Sequence, residues 1–90
     1  MAAHKTIALK YLSDLCDALE NDQDADYTDG ALLLKHPKGQ FLLNYHGVMD
    51  QIWLSSPVTG AHHFSYKASK WLCTRTNREL ESVLRQDLDA

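Results

Sequence analysis

The sequence predicts an α+β fold: a helix, an antiparallel sheet of five to six strands and a second helix, forming a two-layer sandwich with both helices on one sheet face. Three observations predict it. Apolar residues recur at spacings of three and four near each end of the chain, as on amphipathic helices. Between them the pattern changes to alternation, the period of a strand. Turn-forming groups, Asp29-Gly30, Pro37-Lys38-Gly39 and Ser56-Pro57-Val58-Thr59-Gly60, punctuate that middle region at strand-length intervals.

The first helix is expected over Ile7 to Glu20, with Ala8, Tyr11, Leu12, Leu15 and Leu19 as its apolar stripe and Lys10, Ser13, Asp17 and Glu20 on the opposite face. Asp24 to Thr28 is a short strand, because Asp29-Gly30 is a tight-turn pair and the aliphatic run Ala31 to Lys35 follows it. Pro37 and Gly39 cut that run too short for a helix. Gln40 to Tyr45 alternates Phe41, Leu43 and Tyr45 against Gln40, Leu42 and Asn44, giving a third strand. Gln51 to Ser55 is the fourth strand, Ala61 to Tyr66 the fifth, and Trp71 to Thr74 a short sixth after a Lys-Ala-Ser-Lys turn. Thr76-Asn77-Arg78-Glu79 fits the capping box, so the closing helix is expected from Thr76 to Leu88 with Leu80, Val83, Leu84 and Leu88 inward.

Ninety residues and no repeat or linker composition indicate one domain, 1–90, able to bury about two-thirds of its unfolded surface and too small for a deep cleft. The net charge of -3 and the scattered Lys and Arg argue against nucleic acid as a partner. No apolar run approaches the roughly 20 residues of a membrane span, and the first residues lack the apolar core of a secretory signal. Cys16 and Cys73 sit in patterned apolar segments without metal-type spacing, which favours reduced core thiols and a reducing compartment.

No serine, histidine or cysteine has a partner at a recognisable catalytic spacing, so a conventional active site is not expected. His62 and His63 are adjacent on a strand, point to opposite faces and do not readily share an ion. Two other features carry chemistry. Between Asp14 and Asp29 the chain is rich in acid and holds no Lys or Arg; Asp17 and Glu20, three apart on the helix, stand near Asp22, Asp24 and Asp26 on the following edge. Carboxylate oxygens suit hard cations, although such a run also reads as a solvated face. The second feature is the helix-free sheet face, where alternation puts Leu42, Asn44, Gln51 and Trp53 with His62 or His63. Trp53 is either a half-exposed anchor for a protein partner or a ring packed under a neighbouring strand.

With those residues placed, the chain resembles the frataxin family, which includes the bacterial CyaY proteins, over nearly its whole length. Leu43-Asn44, the run QIWLSSP from Gln51 to Pro57, Thr59-Gly60 and His62-His63-Phe64 match the family's central strands. Trp71-Leu72-Cys73-Thr74-Arg75-Thr76 is similar to the bacterial last strand and turn. The link from the first helix to the first strand is shorter than in most members, which trims the acidic ridge, and His63 stands where mitochondrial members usually carry arginine. The resemblance implies a regulator of iron-sulfur cluster assembly that binds the cysteine desulfurase and scaffold complex and modulates sulfur transfer. It implies weakly held surface iron, Fe2+ or Fe3+, at Asp17, Glu20, Asp22, Asp24 and Asp26, and partner contacts through Asn44, Gln51, Trp53 and His63. It further implies a monomer in the bacterial cytoplasm or, for a mature eukaryotic chain, the mitochondrial matrix. Iron storage or ferroxidase activity, also attributed to the family, is the alternative.

Overall fold

The computed structural model describes residues 3–21 and 24–90. The order of elements is α1 (Lys5–Leu19), β1 (Asp24–Thr28), β2 (Ala31–His36), β3 (Gly39–His46), β4 (Gln51–Ser56), β5 (Gly60–Lys67), β6 (Lys70–Cys73) and α2 (Leu80–Asp89). The six strands form one antiparallel sheet in sequence order, each paired with its chain neighbour.

One sheet face and the helix stripes make the core. Leu32, Leu34, Phe41, Leu43, Ile52, Leu54 and Phe64 alternate inward from the strands, with Trp71 and Cys73 beside them, and meet Ala8, Leu12, Leu15, Cys16 and Leu19 of α1 and Leu80, Val83 and Leu84 of α2. Both cysteines are free and buried, behaving as small apolar residues. At Asp29-Gly30 the expected turn forms with φ of 48° and 79°, the double left-handed geometry that matches the twist of a two-residue hairpin.

The start of α1 is tied down from a distance. Asp50, in the β3–β4 connection, accepts hydrogen bonds on Oδ1 from the His4 backbone N–H at 3.0 Å and the Tyr45 hydroxyl at 2.6 Å, while Oδ2 lies 2.6 Å from His4 Nδ1. The His4 carbonyl then accepts from the Ala8 N–H at 2.8 Å, so the helix begins at Lys5, two residues earlier than expected.

The closing helix differs more. It starts at Leu80, not Thr76, and the Thr76/Glu79 capping box does not form. Asn77 takes a left-handed φ of 61°, which no helix accommodates, and Glu79 remains extended and bridges back to Leu72. The Cys73 N–H donates to the Arg78 carbonyl at 2.8 Å and the Asn77 N–H to the Cys73 carbonyl at 2.9 Å, so the segment is a turn folded onto β6. Thr76 Oγ1 accepts from the Arg78 N–H at 3.4 Å instead of capping a helix. For the same reason β6 ends at Cys73 and Thr74 belongs to the turn.

Candidate functional site

Strand register decides which side chains share the helix-free face. Asn44 of β3 lies opposite Trp53 of β4, and Trp53 opposite His63 of β5; the next row pairs His46 with Gln51 and Gln51 with Ser65. Asn44, Gln51, Trp53 and His63 therefore form one patch, on the side opposite the core-facing Leu43, Ile52 and Phe64. The exposed Leu42 lies beside it on β3.

The centre of that patch is a stack of three rings. His46 lies 3.8 Å from Trp53 between ring centroids at an interplanar angle of 13°, and His63 lies 4.2 Å away on the other side at 14°. Trp53 Nε1 donates to Gln51 Oε1 at 2.9 Å, and Gln51 Nε2 reaches Ser65 Oγ at 3.4 Å. The indole is half-buried, with both faces covered by imidazoles and its N–H fixed from below the row. It is thus an outward-facing side chain that is also packed between neighbours, and what it offers a partner is the edge of a rigid slab. Sequence reasoning missed His46. The signal was present: His46 is in phase with Leu42 and Asn44, but the third strand was expected to stop at Tyr45. Its Nδ1 is buried without a hydrogen-bond partner.

Of the two adjacent histidines, His63 joins the open face and His62 does not. His62 Nε2 lies 2.6 Å from Thr59 Oγ1, and Thr59 donates to Asp87 Oδ2 at 2.5 Å, as does Ser56 Oγ at 2.7 Å. Asp87, only 2% exposed, thereby clamps the end of α2 to the β4–β5 turn. Burial lowers the His62 pKa, aided by the charges of Arg75, Arg78 and His63 and opposed by Asp87.

The acidic residues lie at the C-terminal end of α1 and along the edge strand β1. Asp17 and Glu20 are exposed at the end of α1. Asp24 and Asp26 are exposed on the edge strand β1, where Ala25 and Tyr27 turn toward the core and leave the two carboxylates on the helix-free side, opposite Lys35 and Leu33. Asp22 lies outside the described residues. The Cys16 thiol is pushed up by burial and then by the charges of Glu20, Asp17 and Asp26. Among the described residues, no three His, Cys, Asp or Glu side chains are arranged to hold a metal ion. These oxygens suit a hard cation chemically, but the described residues do not build a cage for one.

Comparison with known proteins bears on the whole chain. The Frataxin-like domain model matches residues 2–90. The iron-sulfur cluster assembly protein CyaY of Vibrio vulnificus is 29% identical over 82 residues, covering 90% of this chain and 78% of its own length. The mitochondrial frataxin homolog of Schizosaccharomyces pombe is 35% identical over 71 residues, covering 76% of this chain but only 45% of that protein. Among solved structures, trimeric frataxin from the yeast Saccharomyces cerevisiae, crystallised with ferrous iron, superposes with a TM-score of 0.83 at 28% identity, covering 91% of this chain and 81% of that one. Frataxin from Psychromonas ingrahamii, 24% identical with a TM-score of 0.68 over 84% of this chain and 80% of its own, agrees in fold. A six-stranded meander backed by two helices, matched end to end by the domain model, makes this chain a member of the frataxin family.

Proposed function

We propose that this chain acts in iron-sulfur cluster assembly, as the name of the Vibrio vulnificus relative states for that protein, with residues 1–90 working as one frataxin-like unit that binds the cysteine desulfurase and scaffold complex and modulates sulfur transfer. The observation that supports this reading is the His46–Trp53–His63 stack, flanked by Asn44 and Gln51, on a sheet face that neither helix covers. A ring already immobilised from both sides loses little conformational freedom when a partner closes over it, and a pre-ordered aromatic is what an interface uses as an anchor. Asn44 and Gln51 supply amide donors and acceptors around that anchor, which fix orientation.

The carboxylates at the α1 end and the β1 edge give the complementary contribution. They concentrate negative charge away from the ring stack and would steer the molecule toward a basic surface of the complex. Iron, the metal this family implies, would be held weakly by Asp17, Glu20, Asp24 and Asp26, with Asp22 as the fifth candidate, and would supply hard-cation charge at the surface. Among the described residues no three His, Cys, Asp or Glu side chains are grouped to hold a metal ion, which favours reading the chain as a non-enzymatic regulator rather than an iron store or ferroxidase. The working unit is taken as the monomer, in the bacterial cytoplasm or the mitochondrial matrix.

The test is desulfurase turnover in the assembled complex with and without an equimolar amount of this protein. A changed rate that Trp53→Ala abolishes supports the reading. An unchanged rate at saturating protein, with sulfur transfer to the scaffold also unaltered, rules it out.

A further inference from the structure

Beside His63, at the β6 end of the open sheet face, lies a hollow of about 320 Å3 lined by Ala61, His63, Thr74 and Arg75. Strand pairing explains why these four meet. Ala61 and His63 stand two apart on β5 and so share a face, and His63 lies opposite Trp53. Cys73 pairs with Phe64, and just past the end of β6 the Thr74 N–H donates to the His63 carbonyl at 2.9 Å. The ladder thus runs one step beyond the strand and sets Thr74 beside His63. Arg75 reaches back across β5, its guanidinium donating to the Ala61 carbonyl at 3.3 Å. The row of Asn44, Trp53 and His63 therefore ends in a hydroxyl and a guanidinium.

The chemistry of this lining has one sign. Arg75 carries a permanent charge on a fork of N–H donors, and the bond to Ala61 occupies only one end of it. Thr74 adds a hydroxyl and His63 a ring edge. No carboxylate lines the hollow, and the ion pairs of the described residues engage His4, Lys10, Lys70 and Arg85 but not Arg75. The positive field reaches the neighbours: burial lowers the His62 pKa, and the charges of Arg75 and Arg78 lower it further against Asp87. At Cys73 burial alone would raise the thiol, but hydrogen bonds from Thr76 and from the backbone of Arg75 and Thr76, with the Arg75 charge, outweigh it and leave the pKa lowered. On a chain of net charge -3 this corner reverses the local sign.

A site of this kind recognises an oxyanion, and charge and position choose which. The one permanent cation balances the single charge of a carboxylate, whereas a phosphate monoester brings about -1.5 to -2. The hollow is also continuous with the ring stack, because His63 both lines it and covers one side of Trp53 at 4.2 Å. A protein that closes over the indole covers the hollow too, so the carboxylate that enters belongs to a side chain of that protein.

We propose that this hollow takes an aspartate or glutamate side chain of the protein that docks on the open sheet face, its carboxylate paired with the Arg75 guanidinium and hydrogen-bonded by the Thr74 hydroxyl and the His63 ring. The proposal rests on the docking role given above to that face, and it adds Arg75 and Thr74 as specificity-determining residues. The indole accepts any apolar surface of the right shape. The hollow selects among such surfaces one that carries a carboxylate about two strand spacings, about 10 Å, from where the indole lands.

The experiment measures affinity for the assembled desulfurase and scaffold complex, and thermal unfolding alone, for the full chain and for Arg75→Gln, Arg75→Glu, Thr74→Val and Trp53→Ala. Thr74 and Arg75 are exposed, so their variants should fold normally; if a charge change at Arg75 disturbs the turn, Thr74→Val carries the comparison. Arg75→Gln should weaken binding about tenfold, Arg75→Glu about a hundredfold and Thr74→Val about threefold. Single changes of Asp or Glu to Lys on the complex should include one that restores most of the affinity lost by Arg75→Glu. If Trp53→Ala weakens binding while the Arg75 and Thr74 variants bind like the unaltered chain, this proposal falls and the docking face stands. If all four bind normally, the docking face falls as well. Failure of every charge reversal to restore Arg75→Glu overturns the carboxylate as occupant. Competition by inorganic phosphate at fixed ionic strength, seen with the unaltered chain and absent with Arg75→Gln, also overturns it, by making the hollow a small-anion site.

Discussion

Replacing Trp53 with alanine removes the middle ring of the three-ring stack while leaving the core leucines and phenylalanines in place. The cost to folding follows from what the indole touches. Two near-parallel ring contacts, at 3.8 and 4.2 Å, are lost. At about 0.5–1.5 kcal/mol per aromatic pair this amounts to about 1–3 kcal/mol, to which the apolar area lost with the half-buried indole adds. The hydrogen bond to Gln51 is part-buried, and Gln51 can turn to water when its partner goes, so it adds little. Against a typical stability of about 5–15 kcal/mol the variant stays folded, with a melting temperature lower by about 4–8 °C per kcal/mol. Binding to the desulfurase and scaffold complex should suffer more, because a central aromatic anchor is worth at least about 2 kcal/mol, or about thirtyfold in Kd. The assay is paired: thermal unfolding of the variant alone, then its affinity for the complex and its effect on turnover. A variant that remains folded and binds normally refutes the docking role. One that no longer folds refutes the separation of this ring from the core.

The remaining expectations concern the Asp50 tie to the start of α1, a turn and the acidic edge. Burial alone would raise the Asp50 carboxyl, but hydrogen bonds from the Tyr45 hydroxyl and from the backbone and ring of His4, with the His4 charge, outweigh it and leave the pKa lowered. A lowered folded pKa gives stability that is present above the unfolded value near about 3.9 and lost as pH falls through the folded one, so Asp50→Asn should flatten the acid limb of a stability curve below about pH 4. Tyr45 is raised by burial and by its bond and proximity to Asp50 to about 12, so its contribution holds below an unfolded value of about 10 and is lost as pH climbs toward 12; ultraviolet titration should show this late ionisation, and Asp50→Asn should bring it down. Gly30 has φ of 79°, and a Cβ there would sit 2.8 Å from Leu9 Cδ2, so Gly30→Ala should destabilise by about 1–2 kcal/mol in denaturant unfolding. Changing Asp22, Asp24 and Asp26 together to Asn should raise stability slightly by relieving repulsion and weaken cobalt or iron binding followed by NMR; unchanged metal affinity would move the site elsewhere.

The parts of this molecule written in alternation were the most legible. Ile52 and Leu54 inward with Trp53 outward, and Phe41 and Leu43 inward with Asn44 outward, follow from period two alone, and Asp29-Gly30 announces its own turn. What the pattern could not carry was the strength of competing local structure. Thr76 and Glu79 satisfy the letters of a capping box, yet the backbone of Asn77 turns left-handed and Glu79 pairs with Leu72 instead. Asp87 reads as the polar side of an amphipathic helix, and only the approach of Ser56 and Thr59, 31 and 28 residues away, allows a carboxylate to be buried there. His46 was hidden by one residue of strand length. In the acidic stretch, the alternation of Asp24 and Asp26 with Ala25 and Tyr27 already implied that their carboxylates leave the helix side.

The order of the sheet also governs how the chain reaches this structure. Because every strand pairs with the one just before or after it, the sheet can be assembled from neighbouring hairpins, each closing a short loop. No strand has to wait for a distant partner, unlike in Greek-key sheets. The distant contacts are made by the ends: α1 lies across β1 to β3, α2 joins last beside β6, and the His4–Asp50 link spans 46 residues. Such a topology places this chain toward the faster side of mixed α/β folders, and it assigns the late step of refolding to docking of the two helices rather than to pairing of the strands. Stopped-flow refolding of Asp50→Asn, which loosens the α1 start without touching the sheet, should slow only if that docking already shapes the transition state.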